Sequence, residues 1–114
     1  MPGTSRHHWG TDIDMNSLSP SYFESGKGKQ EYEWLRDNAY EFGFCQVYSE
    51  KGMERKYGYE EEKWHWSYIP IASKFTQYFK RNMEAKDING FDGSDALSFS
   101  EVLKYVEGIS PDCK

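Results

Sequence analysis

Four side chains in this sequence have the types and order needed to hold and use a metal ion: His7, Asp14, Glu62 and His65. Imidazole nitrogen and carboxylate oxygen are both donors that zinc accepts, and a catalytic zinc site takes three protein ligands and leaves a fourth position to water. The metal acidifies that water, bringing hydroxide within reach near neutral pH, and a nearby carboxylate takes the proton. His7, Asp14 seven residues later and His65 are the candidate ligands. Glu62, three residues before His65, is the candidate general base. Taken singly, a His and an Asp at this spacing are ordinary surface chemistry, so the elements that carry them decide their meaning.

Residues 10–15 alternate as a strand does, with Thr11 and Ile13 on one face and Asp12 and Asp14 on the other. Residues 17–29 are rich in Ser, Gly and Pro and read as a surface loop. Tyr32, Leu35, Ala39 and Phe42 then recur at helical spacing until Gly43 supplies a stop. Residues 44–48 form a short apolar run, residues 49–58 a charged turn, and residues 64–69 an aromatic run. In that run Trp64, Trp66 and Tyr68 lie opposite His65 and Ser67, and the two runs are expected to pair antiparallel. After Pro70, Ile71, Phe75, Tyr78 and Phe79 share a helical face. Ser98 with Glu101 makes a capping box ahead of Val102, Tyr105 and Val106, and Gly108 ends that helix. The acidic, Gly-containing residues 87–95 have Phe91 and Asp92 where a calcium loop wants an oxygen ligand and its Gly, so they read as an ordinary loop. The expected class is α+β: a small antiparallel sheet carrying the metal site, flanked by helices.

At 114 residues the chain is a single domain with one core. Nine Tyr, seven Phe and four Trp make that core aromatic rather than aliphatic. A net charge of -5 argues against nucleic acid, whose binding draws on Lys and Arg neutralising phosphates. No apolar stretch is long enough for a membrane span, and the N-terminus has no signal-peptide pattern. Cys45 and Cys113 follow no metal spacing and are either two free thiols or one disulfide.

Two stretches carry a resemblance. Ser5-Arg6-His7-His8-Trp9-Gly10-Thr11-Asp12-Ile13-Asp14 resembles the S-x-H-x-x-G-x-A-x-D signature of the zinc peptidases grouped under lysostaphin, D-alanyl-D-alanine metallopeptidases and sonic hedgehog. Glu62-Lys63-Trp64-His65-Trp66 matches their second signature, E-x-W-H-W. The likeness covers roughly residues 3 to 70 and is nearest to the D-alanyl-D-alanine carboxypeptidases. It implies a hedgehog-like fold, with zinc bound by His7, Asp14 and His65 and with Glu62 activating the attacking water. The implied activity is removal of a terminal D-amino acid, with D,D or L,D preference, from peptidoglycan stem peptides in the periplasm or outside the cell. Ser5, Arg6 and Trp66 are the candidate substrate contacts.

The sequence departs from that pattern in two places. Asp12 stands where the signature has Ala, and only six residues precede His7, whereas family members carry a helix, a strand and a carboxylate-binding Arg upstream of the first ligand. The expectation is therefore a domain lacking that upstream helix and strand. An endopeptidase of the same group would use the same four residues, and a zinc-containing binding module would keep the ligands without turnover. A purely structural site would need His8 or Asp12 as a fourth ligand.

Overall fold

The computed structural model describes residues 1–114. At its centre three short strands, β1 (Asp12–Asp14), β2 (Phe44–Gln46) and β3 (His65–Tyr68), form an antiparallel sheet in the order β1-β3-β2. Register pairs Asp12 with Ser67, Ile13 with Trp66, Asp14 with His65 and Cys45 with Ser67. Because strand side chains alternate, Asp12, Asp14, Cys45, His65 and Ser67 share one face, and Ile13, Phe44, Gln46, Trp66 and Tyr68 share the other. The aromatic run thus presents its polar residues to one side of the sheet and its large rings to the other.

The ring-bearing face is covered by α1 (Gly26–Asn38), which brings Trp34 and Leu35 against Ile13, Phe44 and Trp66. This helix begins well before Tyr32, inside the stretch expected to be loop. A 3-10 turn over Pro20–Phe23 precedes it and buries Phe23. Gly28 permits the close approach of the two, since a Cβ there would lie 2.0 Å from the Tyr22 carbonyl oxygen. A residue that argues against helix by propensity is here required by packing. Pairs at i,i+4, Lys27 with Glu31 and Lys29 with Glu33, lie along its exposed side. A second 3-10 turn over Ala39–Phe42 follows and ends at Gly43, whose φ is 84°.

On the polar face, α2 (Ile69–Asn82) and α3 (Phe99–Val106) complete the core. Phe79, Val102 and Val106 form one buried cluster with Trp9, Met83 and Leu103 packed against it. Cys45, Val47, Tyr48, Ile109 and Cys113 form another. The capping box of α3 is formed on both sides, with Ser98 Oγ accepting from the Glu101 amide and Glu101 accepting from the Ser98 amide. Cys45 and Cys113 form a disulfide, fastening the C-terminal turn Pro111–Cys113 beside β2. No helix is long and apolar enough to cross a membrane.

The segment between β2 and β3 has no regular structure and is organised around Arg55, which is 2% exposed. Its guanidinium donates to the carbonyls of Ser49, Tyr57, Tyr59 and Gly108. These bonds gather the loop against the end of α3 and deliver Glu62 to the edge of the sheet, where its amide donates to the Tyr48 carbonyl at 2.9 Å.

Candidate metal and catalytic site

His7 sits on a 3-10 turn, Arg6–Trp9, and not on a strand. Gly10, at φ 69°, reverses the chain after this turn and lets its amide close on the His7 carbonyl. The His7 ring folds back over β1, where Nδ1 donates to the Asp12 carbonyl at 3.2 Å. That bond leaves the Nε2 lone pair free, 3.3 Å from Asp14 Oδ1. Across the sheet from Asp14, His65 stacks on His7 with ring centroids 4.4 Å apart.

One donor atom from each of His7, Asp14 and His65 lies within 4.8 Å of the others. Donors about 2.0–2.1 Å from a tetrahedral zinc ion would stand about 3.4 Å apart, a spacing this set approaches. Two imidazoles and one carboxylate are a donor set suited to zinc, and these residues fit such an ion. His8 is exposed and lines a separate apolar depression with Trp9, Phe75 and Met83, away from this cluster.

Both ring nitrogens of His65 face carboxylates. Nε2 lies 2.8 Å from Asp12 Oδ2 and Nδ1 lies 2.9 Å from Glu62 Oε2. Burial alone would lower the imidazole pKa, but the bonds to Asp12 and Glu62 outweigh it and raise it. Asp12 is fully buried as a side chain and accepts from Ser67 Oγ at 2.5 Å and Thr11 Oγ1 at 2.9 Å, with Arg6 Nε 3.5 Å away. Burial pushes its carboxyl up, yet the bonds from His65 and Ser67 and the charge of Arg6 hold it below its usual value. Asp12 is thus engaged behind the His65 ring, and Nδ1 is the nitrogen that faces Glu62 and the cleft.

A cleft of about 290 Å³ opens in front of these groups, lined among others by Ser5, Tyr48, Tyr59, Glu62 and Trp64. Burial pushes the Tyr48 hydroxyl pKa up, and that hydroxyl donates to the Tyr105 carbonyl. Of the three expected substrate contacts, Ser5 lines the cleft. Two other expected contacts need correction. Arg6 is 0% exposed: its Nη1 donates to Thr76 and to the Val106 carbonyl, and its guanidinium lies over the Trp9 ring, so it is an internal counter-ion of Asp12. Trp66 is buried on the opposite face of the sheet, with Nε1 donating to the Lys63 carbonyl. Its neighbour Trp64 lines the cleft instead, because it precedes β3 and does not follow the strand's alternation.

The strand pairing, the stacked imidazoles and the adjoining carboxylate define an α+β domain built around one candidate metal centre. The sequence profile of the VanY family, described as D-alanyl-D-alanine carboxypeptidase, matches residues 1–71, a span that contains His7, Asp14, Glu62 and His65. The chain belongs to this family. It is 35% identical over 73 residues to a D-alanyl-D-alanine carboxypeptidase of Enterococcus faecalis, an alignment covering 64% of this chain and 25% of that protein. It is 33% identical over 117 residues to an uncharacterized protein of Haemophilus influenzae, covering 92% of this chain and 86% of that one. The chain therefore spans about a quarter of the Enterococcus protein and most of the Haemophilus one. No solved structure matches significantly.

Proposed function

We propose that this chain is a zinc-dependent carboxypeptidase that removes a terminal D-amino acid from peptidoglycan stem peptides. The observation that carries the reading is the convergence of His7, Asp14 and His65 at one end of a cleft, with Glu62 against the same imidazole and the family profile spanning all four. His7 through Nε2, Asp14 through its carboxylate and His65 through Nδ1 would hold the ion. Zinc bound there would polarise the scissile carbonyl and acidify a water molecule. Glu62 lies beside the ligand nitrogen without being needed as a ligand, and it takes the proton from the attacking water and returns it to the leaving amine. Ser5, Tyr59 and Trp64, along the cleft, are the contacts available to the peptide. The buried Cys45–Cys113 disulfide supports action in an oxidising compartment, the periplasm or outside the cell.

One observation favours a second reading. Arg6 is the only Lys or Arg lining the cleft, and it is buried against Asp12, so the cleft offers no exposed cation to a terminal carboxylate. An endopeptidase that cuts within the stem or cross-bridge has no such carboxylate to bind. Mass analysis of the products separates the two. Release of a single D-alanine from a synthetic stem pentapeptide supports the carboxypeptidase; cleavage confined to cross-linked or amidated peptides supports the endopeptidase. Zinc-loaded chain that cleaves neither substrate removes both readings.

A further inference from the structure

We propose that Asp12 is a positioning residue for the metal site, holding the His65 ring from behind so that Nδ1 is presented to the cleft, and that Arg6, Ser67 and Thr11 exist in turn to hold Asp12. The inference rests on the reading of His7, Asp14 and His65 as ligands. It concerns a residue that stands where the family signature has Ala.

A carboxylate with no solvent contact is costly unless every lone pair finds a donor. Asp12 has three hydrogen-bond donors and a buried cation beside them. Oδ2 takes His65 Nε2 at 2.8 Å and faces Arg6 Nε at 3.5 Å, while Oδ1 takes Ser67 Oγ and Thr11 Oγ1. Strand register puts Ser67 directly opposite Asp12, so the contact is built into the pairing that also sets Asp14 opposite His65. Arg6, adjacent to His7 in sequence, reaches inward from the same turn and is anchored by Thr76 of α2 and the Val106 carbonyl of α3. α3 and all but the start of α2 lie beyond the family match, and both helices are in this way tied to the back of the candidate centre.

The consequence for His65 is geometric. With Nε2–H committed to the buried, fixed Asp12 carboxylate, the rotation of the ring is set, and Nδ1, paired with the more exposed Glu62 at the cleft, is the nitrogen that can be given over to an ion. The carboxylate also strengthens the ring as a donor. Removing such a partner behind a ligating His costs roughly 10- to 100-fold in metal affinity.

The test uses the full chain, unaltered and as Asp12→Asn and Asp12→Ala, with zinc titrated against a chromophoric chelator and folding checked by thermal melting. Asp12→Ala should weaken zinc binding by about 10- to 100-fold, and Asp12→Asn, which keeps an oxygen facing Nε2–H, by less. Should Asp12→Ala fail to fold, Ser67→Ala, which removes one bond to Asp12, should weaken zinc binding in the same direction. Long-range proton–nitrogen spectra of the zinc-loaded unaltered chain should show His65 protonated at Nε2 and bound at Nδ1, a signature that a merely structural role for Asp12 would not require. Folded variants that bind zinc as tightly as the unaltered chain, or a His65 bound through Nε2, overturn the inference alone. An unaltered chain that binds no zinc overturns the functional reading and this inference with it.

Discussion

Reducing the Cys45–Cys113 bond should destabilise the protein severely while leaving its native packing almost unchanged. The two half-cystines are 68 residues apart in sequence, and their Cα atoms are 5.5 Å apart. Closing a loop of that length removes chain entropy from the unfolded state worth about 4 kcal/mol at room temperature. For a domain of this size that corresponds to a fall in melting temperature on the order of 15 °C. The sulfurs are enclosed by Val47, Tyr48 and Ile109 in the core, so reduction leaves two buried thiols in place and opens no large cavity. The assay is thermal unfolding followed by circular dichroism with and without a phosphine reductant, alongside a thiol titration in denaturant. No free thiols without reductant, two with it, and a midpoint lower by this amount are expected. Equal midpoints despite two titrated thiols would refute the loop-entropy reasoning; two thiols without reductant would refute the bond itself.

Three further outcomes follow from the same physical account. In metal-free protein, His65 has a raised pKa and Asp12 a lowered one, so the stabilisation from His65 is full below its unfolded value near 6.5 and that from Asp12 is full above its unfolded value near 3.9. Denaturant melts across pH should show the pair contributing most between about pH 4 and 6.5, fading on either side, and Asp12→Asn should flatten that profile. Gly28→Ala should destabilise by roughly 1–3 kcal/mol in urea unfolding, because the new methyl meets the Tyr22 carbonyl and the clash outweighs the gain in helix propensity of about 1 kcal/mol. Arg55→Met should lower the melting temperature and release the β2–β3 loop, seen as faster amide exchange at residues 55–62, since the carbonyls of Ser49, Tyr57 and Tyr59 lose their shared donor.

Sequence patterns were most informative where periodicity and turn chemistry act locally. The Ser98 and Glu101 box starts α3, Gly43 closes the turn after α1, and the aromatic run at residues 64–69 becomes β3 paired with β2. The α+β class follows from these. Residues 26–31 of α1 were hidden because Gly and Lys there look like loop, and the close packing against Tyr22 that makes Gly28 suitable is a tertiary fact. The turn carrying Arg6 and His7 was invisible for a similar reason. Next to His7 in sequence, Arg6 suggests a substrate contact; in a 3-10 turn it runs inward to Asp12. Alternation places Asp12 as an extra carboxylate on the Asp14 face, yet its attachment to His65 depends on a register that no local pattern records. Trp66 follows a candidate ligand in sequence, and strand alternation carries it to the other side of the sheet.

The central claim, that His7, Asp14 and His65 hold zinc for a reaction in which Glu62 moves the proton, is tested most directly by measuring zinc stoichiometry and D-alanine release together. The unaltered chain, Glu62→Ala and His65→Ala are compared on a stem pentapeptide. One equivalent of zinc is expected in the unaltered chain and in Glu62→Ala, with release slowed at least about 100-fold in Glu62→Ala, and both zinc and release lost in His65→Ala. A Glu62→Ala protein with full release, or a His65→Ala protein that keeps its zinc, would contradict it.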